Sequence, residues 1–272
     1  TMNFNFVFGN TFTVLAAGLL DPANFGPAGL GGDTIVFLPQ VVEITPNDLV
    51  GVDMVLLSNS AEALSACEQI MLAEFVRQGG ALFTFSNQAA IEMGPRFGAT
   101  PSFGGGGNIV TWQNHPITSG PFGTAFGNES FFFHRFFEDV GPGTPFATEA
   151  KGAVGAAFEH GDGRAVIFCD EEWLLDFDLV GCGISSRDIE DIAVFYNAVS
   201  WIMPAGPVDF VPPNPCAVDL NQDWVRDIFD VLAFLDAFSS GSAIADWNAD
   251  TIIDIFDVLA FLGEFDAGCW FE

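Results

Sequence analysis

The sequence predicts an α/β domain with an open, mostly parallel sheet and flanking helices, followed by a small all-α domain of paired loop-helix units. Two patterns in its 272 residues predict this class. Over residues 11–203, short apolar runs alternate with helical segments, which is typical of a sheet with helical crossovers. A 20-residue unit then occurs twice, at 219–238 and 246–265, with an acidic loop and an apolar helix in each copy.

The first element is predicted by an alternation of apolar side chains. Met2, Phe4, Phe6 and Phe8 share one face of an extended chain, as in a β-strand of period two. Two interpretations of this strand stay open: an edge strand of the same domain, or a donor strand that completes the sheet of a neighbouring copy. The second interpretation would link chains into an assembly.

Further elements follow from apolar runs and capping residues. Four runs bounded by Gly, Pro, Asp or Asn predict buried parallel strands at 12–16, 34–38, 54–57 and 82–85. A helix is predicted at 66–78, because Ser65 and Glu68 form a capping box and two glycines follow its end. The remaining elements are a hairpin over 153–169 and a helix over 188–202.

Several stretches of this domain resemble the class I glutamine amidotransferase-like, or flavodoxin-like, fold. They are Val52-Asp-Met-Val-Leu-Leu-Ser, residues 72–83, His115-Pro-Ile-Thr-Ser-Gly and residues 161–168. The family implies an open α/β sheet and a catalytic Cys on a tight strand-to-helix elbow. Here the strand that ends at Phe85 leads into Ser86-Asn-Gln, so the resemblance does not imply the family's chemistry.

Ser86 and His115 are weak candidates for a catalytic site. Ser86 follows the carboxyl end of a predicted strand, where α/β sheets bind ligands, and His115, His134 and His160 are the histidines of the chain. A nucleophile needs a base within hydrogen-bond reach and a carboxylate that orients the base, and sequence spacing does not establish either. We therefore predict that the protein is not an enzyme.

The charge of the chain limits its partners. Thirty-six Asp and Glu against seven Lys and Arg give a formal net charge of −29 at pH 7, while half of the residues are hydrophobic. That apolar content predicts a folded chain rather than an acidic disordered one. Nucleic acid and anionic membranes are bound through Lys and Arg, so neither is a predicted partner. No apolar run reaches the length that direct membrane insertion requires.

A Pro-rich segment separates the two predicted domains. Residues 204–215 hold five prolines in twelve positions, which favours an extended linker. The predicted organisation is an α/β domain at 1–203, a linker at 204–215 and a second domain at 216–272. Residues 214–272 carry 12 acidic groups and one Arg, so negative charge is about twice as dense there as in the rest of the chain.

Both copies of the repeat place oxygen-bearing side chains at positions 1, 3, 5, 9 and 12 of a twelve-residue loop. Hard oxygen donors at this spacing, with a backbone carbonyl at position 7, are what Ca²⁺ requires. The sequence therefore predicts two Ca²⁺ sites. Their ligands are Asp219, Asn221, Asp223, Val225, Asp227 and Asp230 in the first loop, and Asp246, Asn248, Asp250, Ile252, Asp254 and Asp257 in the second.

With these loops, residues 216–269 resemble a dockerin, the duplicated calcium module by which extracellular bacterial proteins bind cohesin partners. Dockerin loops close with Asp, as Asp230 and Asp257 do here. Position 6 departs from the pattern, because Trp224 and Thr251 replace the Gly that the positive φ of this turn favours. The strain is about 1–2 kcal/mol, so two interpretations stay open: a reduced calcium affinity in both loops, or loops adapted to another use.

The rest of the second domain predicts how it is held together. Most of the apolar residues of the helices at 228–238 and 255–265 are expected to form a small core between the two helices. A disulfide between Cys216 and Cys269 would join the ends of the domain and stabilise it by roughly 4 kcal/mol. Such a bond indicates an extracellular compartment. In the first domain, Cys169 and Cys182 are a second candidate pair.

These observations predict a secreted, non-catalytic structural or adhesive protein at the cell surface or in an extracellular filament or layer. Assembly would use the calcium module and, on one interpretation, exchange of the N-terminal strand. The predicted partner is a cohesin-like protein or other copies of the chain. The alternative is a dockerin-borne extracellular hydrolase, or a carbohydrate-active or carbohydrate-binding protein.

Overall fold

The computed structural model describes residues 2–3, 13–38, 41, 44–57, 63–105, 109–125, 129–130, 134–170, 189–211, 217–221 and 226–267. Its contacts divide the chain into two units. The first is Thr1–Ile44 with Asp48–Val211, and the second is Thr45–Asn47 with Pro212–Glu272. Among the described helices, none has both the length and the apolar character needed to span a membrane.

In the first unit, strands and helices alternate up to residue 97, and nine described strands then follow over residues 100–168 before the last helix. The second unit is helical where it is described. The strands are β1 Met2–Asn3, β2 Phe37–Leu38, β3 Met54–Leu57, β4 Ala81–Phe85, β5 Thr100–Gly105, β6 Ile109–Trp112, β7 Ser119–Gly120, β8 Gly123–Thr124, β9 Glu129–Ser130, β10 His134–Asp139, β11 Thr144–Thr148, β12 Ala153–His160 and β13 Gly163–Phe168. The helices are α1 Thr13–Leu19, α2 Pro46–Leu49, α3 Ala66–Arg77, α4 Asn87–Met93, α5 Ile189–Ile202, α6 Ile228–Ser240 and α7 Ile255–Ala267, with 3₁₀ turns at Gly94–Phe97 and Ala243–Ala245.

One large mixed sheet organises the first unit, which is therefore α/β as predicted. Five neighbouring strands, in the order β2-β1-β3-β4-β13, are parallel. This is the strand order of the flavodoxin-like doubly wound fold. The sheet continues with antiparallel strands in the order β12-β11-β6-β9, and β10 pairs with both β12 and β5.

The prediction of a mostly parallel sheet is wrong, because six of the described pairings in the large sheet are antiparallel and four are parallel. The apolar runs predict no strand between residues 86 and 152. Five strands of the large sheet, β5, β6, β9, β10 and β11, lie in that stretch, and all their pairings are antiparallel.

Two local predictions at the start of the chain also need correction. In the run at 12–16, expected to be a strand, residues 13–16 belong to helix α1, and Leu15 and Leu19 are both buried one helical turn apart. Strand β1 is not at the edge of the sheet, since Met2 pairs with Phe37 of β2 and with Met54 of β3. Residues 4–12 lie outside the described ranges, so the rest of the predicted strand has no structural outcome.

Locally encoded elements agree with their predictions. Ser65 Oγ accepts a hydrogen bond from Glu68 N at 3.2 Å, and Glu68 Oε2 accepts one from Ser65 N at 2.8 Å, so the capping box of α3 is present. Gly79, just beyond the helix, has a φ of 105°. The β12–β13 hairpin forms as predicted, with Gly161 at a φ of 61° in its turn.

The first part of the Pro-rich segment packs on the first unit. Val208 and Phe210 are buried in the apolar layer that covers one face of the sheet. Val208 N donates to Asp53 Oδ1 at 3.1 Å, and Val211 N donates to Gln78 Oε1 at 2.9 Å. Residues 212–216 lie outside the described ranges.

Candidate functional site

The second acidic loop, residues 246–257, is described in full. Its last residue, Asp257, is completely buried, and its two carboxylate oxygens point back into the loop. Oδ1 accepts a hydrogen bond from Asn248 N at 3.1 Å, and Oδ2 accepts one from Asp254 N at 2.8 Å. The backbone N–H of Asp254, followed by that of Asn248, holds the pKa of Asp257 below its usual value. A charged carboxylate therefore closes the loop.

The earlier positions of this loop turn their side-chain oxygens inward through short local hydrogen bonds. Asp246 Oδ2 accepts from Thr251 N at 2.9 Å, Asn248 Oδ1 from Asp250 N at 2.9 Å, and Asp250 Oδ1 from Ile252 N at 2.8 Å. The other oxygen of Asp246, Oδ1, is buried, and no described residue donates a hydrogen bond to it. A buried carboxylate oxygen at position 1 that lacks a donor within the described chain is suited to bind a cation.

The backbone of this loop has the conformation expected for position 6. Thr251, at that position, has a φ of 73°, and Ala249 at position 4 has a φ of 58°. Both values fall in the left-handed region, which a β-branched residue such as Thr adopts at a cost in free energy. The expectation of backbone strain at Thr251 is therefore confirmed.

The described part of the first loop repeats this arrangement. Asp230 is completely buried, its Oδ1 accepts hydrogen bonds from Leu220 N at 2.9 Å and Asn221 N at 3.4 Å, and its Oδ2 accepts one from Asp227 N at 2.9 Å. Asp219 is also buried. Asp223, Trp224 and Val225 lie outside the described residues, so their predicted roles have no structural outcome.

The carboxylates at positions 9 and 12 also begin the helices. Asp227 is the N-cap of α6, where its Oδ1 accepts from Phe229 N at 2.7 Å, and it forms a capping box with Asp230. At the start of α7, Asp254 Oδ1 accepts from Phe256 N at 2.8 Å, and Asp257 Oδ2 accepts from Asp254 N at 2.8 Å. The same side chains therefore cap the helices and supply oxygens to the loops.

The fit of these loops to a metal can be judged from their donors. Within the described residues, no group of three or more His, Cys, Asp or Glu side chains is placed to hold a metal ion. In the described loop residues, the side-chain donors are carboxylate and amide oxygens, a set that suits a hard cation such as Ca²⁺ better than a soft one. Asp246, Asn248, Asp250 and Asp257 therefore carry donors that suit Ca²⁺, but their side chains are not gathered around a metal position, and the calcium sites stay a prediction.

A second surface feature lies on the helices that follow the loops. Large apolar side chains at equivalent positions of α6 and α7 are between 42% and 62% exposed. We call them the exposed rows, and they consist of Ile228, Phe229, Leu232 and Leu235 on α6, and Ile255, Phe256, Leu259 and Leu262 on α7.

The prediction that most of these apolar residues form a core is wrong, because the side chains of the exposed rows are accessible to solvent. The described core of the second unit centres on Phe234 and Phe261, whose rings stack with centroids 4.2 Å apart, and on Trp247, whose ring is edge-on to both. Each helix is apolar on two faces, and packing one helix against the other buries only one of them.

The catalytic candidates do not form a site. Ser86 is buried, and its Oγ accepts a hydrogen bond from Ala89 N at 2.9 Å, so it is the N-cap of α4. His115 Nδ1 accepts from Ile117 N at 3.2 Å, and its ring lies against Trp201 with centroids 5.0 Å apart. Burial, followed by the charge of Arg164, lowers the pKa of His115.

No described contact joins these two candidates. Ser86 follows the carboxyl end of β4. The ring of His115 contacts Trp201 and Phe146, with centroids 5.0 Å and 5.9 Å away.

Three of the five cysteines, Cys182, Cys216 and Cys269, lie outside the described residues, so the predicted Cys216–Cys269 bond stays a prediction. Cys169 is a buried free thiol. Burial, followed by the charge of Asp170, raises its pKa well above the usual value. A thiol with this pKa is protonated at neutral pH and is a poor nucleophile.

Comparison with known proteins gives no family for the chain. No family model and no curated protein matches it. Similar solved structures include a cytoplasmic protein from Salmonella typhimurium (12% identity, 64% of this chain and 83% of that chain, TM-score 0.45) and the mmIFT52 N-terminal domain (12%, 62% and 84%, 0.46). A β-galactosidase from Bacillus circulans sp. alkalophilus is also similar (13%, 71% and 28%, 0.42). None of these three is a dockerin or a glutamine amidotransferase, so both resemblances stay predictions.

Proposed function

We propose that the chain is a non-catalytic structural protein of the cell surface or extracellular space, whose second unit binds Ca²⁺ and docks to a partner protein. One observation carries this proposal. The repeat provides the same pair of features twice, a loop closed by a buried Asp and, directly after it, a helix with an exposed apolar row. Duplication of both features together favours a single function that uses both.

The calcium part of the proposal is supported by the charge of the loops. Asp230 and Asp257 are buried carboxylates that accept hydrogen bonds from backbone N–H groups, and no cationic side chain among the described residues pairs with them. Buried charges in proteins are usually paired with an opposite charge or with a metal. Two Ca²⁺ ions would supply the missing positive charge and would fix the loops that begin both helices.

The docking part is supported by the exposed rows. Isolated exposed apolar residues are ordinary, but eight large ones on two short helices form patches of the kind that mark interaction sites. Contact through a helix face is a common mode of protein recognition. The extracellular location is supported by the two features that suit it, calcium binding and the predicted Cys216–Cys269 bond.

The non-catalytic part is supported by the contacts of the two catalytic candidates. Ser86 Oγ is engaged as a helix cap, and His115 accepts a hydrogen bond from Ile117 N and packs against Trp201. In the described contacts, Ser86 and His115 therefore do not form a nucleophile and base pair.

Calorimetry of the full chain tests the calcium site. We expect excess Ca²⁺, relative to a chelator, to raise the thermal midpoint of the second unit by mass action and to leave that of the first unit unchanged. Mg²⁺ at the same concentration should give a smaller shift, because Mg²⁺ demands octahedral geometry and retains its water. Equal midpoints in Ca²⁺ and chelator would refute calcium binding.

Two variants of equal charge make this test specific. Asp250→Asn removes one carboxylate from position 5 of the second loop, so the calcium-induced shift should decrease. Asp236→Asn removes one carboxylate from the exposed surface of α6, outside both loops, and the shift should be retained. An equal loss in both variants would mean that Ca²⁺ acts only by neutralising surface charge.

A further inference from the structure

We infer that the exposed rows bind a different protein, whose docking surface has an apolar centre and a rim of Lys and Arg, rather than a second copy of this chain. This inference rests on the docking function proposed above. It concerns the chemistry of the partner, which follows from the charges that surround the rows.

The helices that carry the rows contain no basic residue. Neither α6 nor α7 includes a Lys or Arg, and their exposed acidic residues are Asp236 on α6 and Glu264 and Asp266 on α7. Each apolar row is therefore accompanied by negative charge alone. A partner surface that covers a row also approaches these carboxylates, and a basic rim satisfies them.

The one basic residue of residues 214–272 is already engaged within the unit. Arg226 donates a hydrogen bond from Nη1 to the backbone oxygen of Phe265, and its guanidinium lies 5.1 Å from the centre of the Phe265 ring. A basic group at the end of α7 is favoured by the helix dipole and by the negative carbonyl groups there. Arg226 is thus committed to α7, and the positive charge of an interface must come from the partner.

A second copy of the chain lacks that positive charge. Each copy has a formal net charge of −29, and residues 214–272 carry net −11 of it. Pairing row against row would bring two such regions together at distances shorter than the Debye length of about 8 Å at physiological salt. Two bound Ca²⁺ ions would return four charges to each unit, so the unit stays strongly negative. A large net charge of one sign keeps proteins monomeric.

Two helical peptides provide the probe for this inference. They share one leucine face, which is flanked by Lys in the first peptide and by Glu in the second. With Ca²⁺ present, we expect the full chain to bind the Lys peptide at least about tenfold more tightly, by fluorescence anisotropy, and to lose affinity as salt rises. Equal affinity for both peptides would overturn the inference.

Variants that change no charge distinguish docking through the exposed rows from electrostatic attraction alone. Phe229→Ser combined with Phe256→Ser keeps every charge and removes the largest member of each row, so the affinity for the Lys peptide should fall about tenfold or more. Leu30→Ser combined with Val50→Ser alters two exposed apolar residues of the first unit and should change nothing. Undiminished binding by the Phe variant would overturn the inference.

Sedimentation of the chain without peptide tests whether a second copy of the chain binds to the exposed rows. A monomer at all concentrations in Ca²⁺ is the expected result, whereas a dimer that the Phe229→Ser, Phe256→Ser variant abolishes would overturn the choice of a different protein. The calcium proposal fails separately, through equal thermal midpoints in Ca²⁺ and chelator. A calcium-dependent midpoint together with equal peptide affinities would refute the partner chemistry and leave calcium binding in place.

Discussion

The two units of this chain are each stabilised by different interactions. In the first unit, apolar layers cover both faces of a sheet, and rings such as Phe83, Phe85 and Phe195 pack on one another with centroids 5.3 to 6.0 Å apart. In the second unit, the described core centres on the stacked rings of Phe234 and Phe261, while eight large apolar residues of its helices stay exposed. The first unit buries most of its described large apolar residues in a core, whereas the second keeps many of them on its surface.

This difference indicates what stabilises the second unit. A unit of this size buries little apolar surface and commonly needs metals or disulfides. Here the closing carboxylates Asp230 and Asp257 connect each loop to the helix that follows, through hydrogen bonds from backbone N–H groups. We therefore expect the second unit to respond to pH and to cations much more strongly than the first.

The largest expected effect comes from the small core itself. Phe261→Ala removes one ring of the stacked pair, and a buried Phe→Ala change costs about 3–5 kcal/mol. That loss is as large as the roughly 3–5 kcal/mol that the core of so small a unit supplies, so the second unit should unfold while the first stays folded. Calorimetry of the full chain should show one transition fewer.

Phe256→Ala is the matched control for this prediction, because Phe256 lies on the same helix but is 62% exposed. Its substitution should leave both transitions within about 0.5 kcal/mol of their original stability. If Phe256→Ala destabilises the unit as much as Phe261→Ala does, the exposed rows are part of a core and the contrast between the units is wrong.

How much of the fold the sequence predicts depends on how local the signal is. The capping box of Ser65 and Glu68 predicts the start of α3 correctly, because all of its atoms lie within four residues. The interior position of β1 depends on its pairing with β2 and β3, which lie more than 30 residues away in the sequence. No periodicity within the first ten residues contains that information.

The candidate site also has features that the local sequence predicts and features that it does not. Spacing alone predicts the oxygen donors from Asp219 to Asp257, and the left-handed φ of Thr251 agrees with the expected loop. Spacing does not predict the exposed rows, because a helix that is apolar on two faces gives no signal for which face is buried. The capping role of Asp227 and Asp230 has a sequence signature, the Asp-x-x-Asp spacing before an apolar helix. The same two residues are also positions 9 and 12 of the calcium pattern, so calcium binding by itself accounts for their spacing.

A smaller effect on the stability of the second unit is expected when the pH is lowered. Since the pKa of Asp257 is lowered in the folded chain, its stabilising contribution is complete above the pKa of about 3.9 that Asp has in an unfolded chain. The contribution is lost as the pH falls from there through the lowered pKa. The second unit should therefore lose stability over this acidic range, as measured by thermal midpoints at a series of pH values without metal.

Asp257→Asn isolates the source of this pH dependence. The amide cannot ionise, so the variant should be less stable near neutral pH and should lose less stability than the original chain as the pH falls. The exposed Asp236→Asn variant should keep the original pH profile. A profile that Asp257→Asn leaves unchanged would assign the acid response to other carboxylates.

The smallest expected effect concerns position 6 of the second loop, where the residue type departs from an ideal calcium loop. Thr251 has a φ of 73°, where glycine has no Cβ to clash with the backbone, so Thr251→Gly should stabilise the folded loop by about 1 kcal/mol and tighten calcium binding. Ile252→Gly is the matched control, because Ile252 is the next residue and does not have a positive φ. There glycine relieves no strain and adds freedom to the unfolded chain, so the unit should be destabilised. Calcium titrations and thermal midpoints of both variants measure the difference, and a gain in neither would mean that the left-handed turn at Thr251 does not limit the loop.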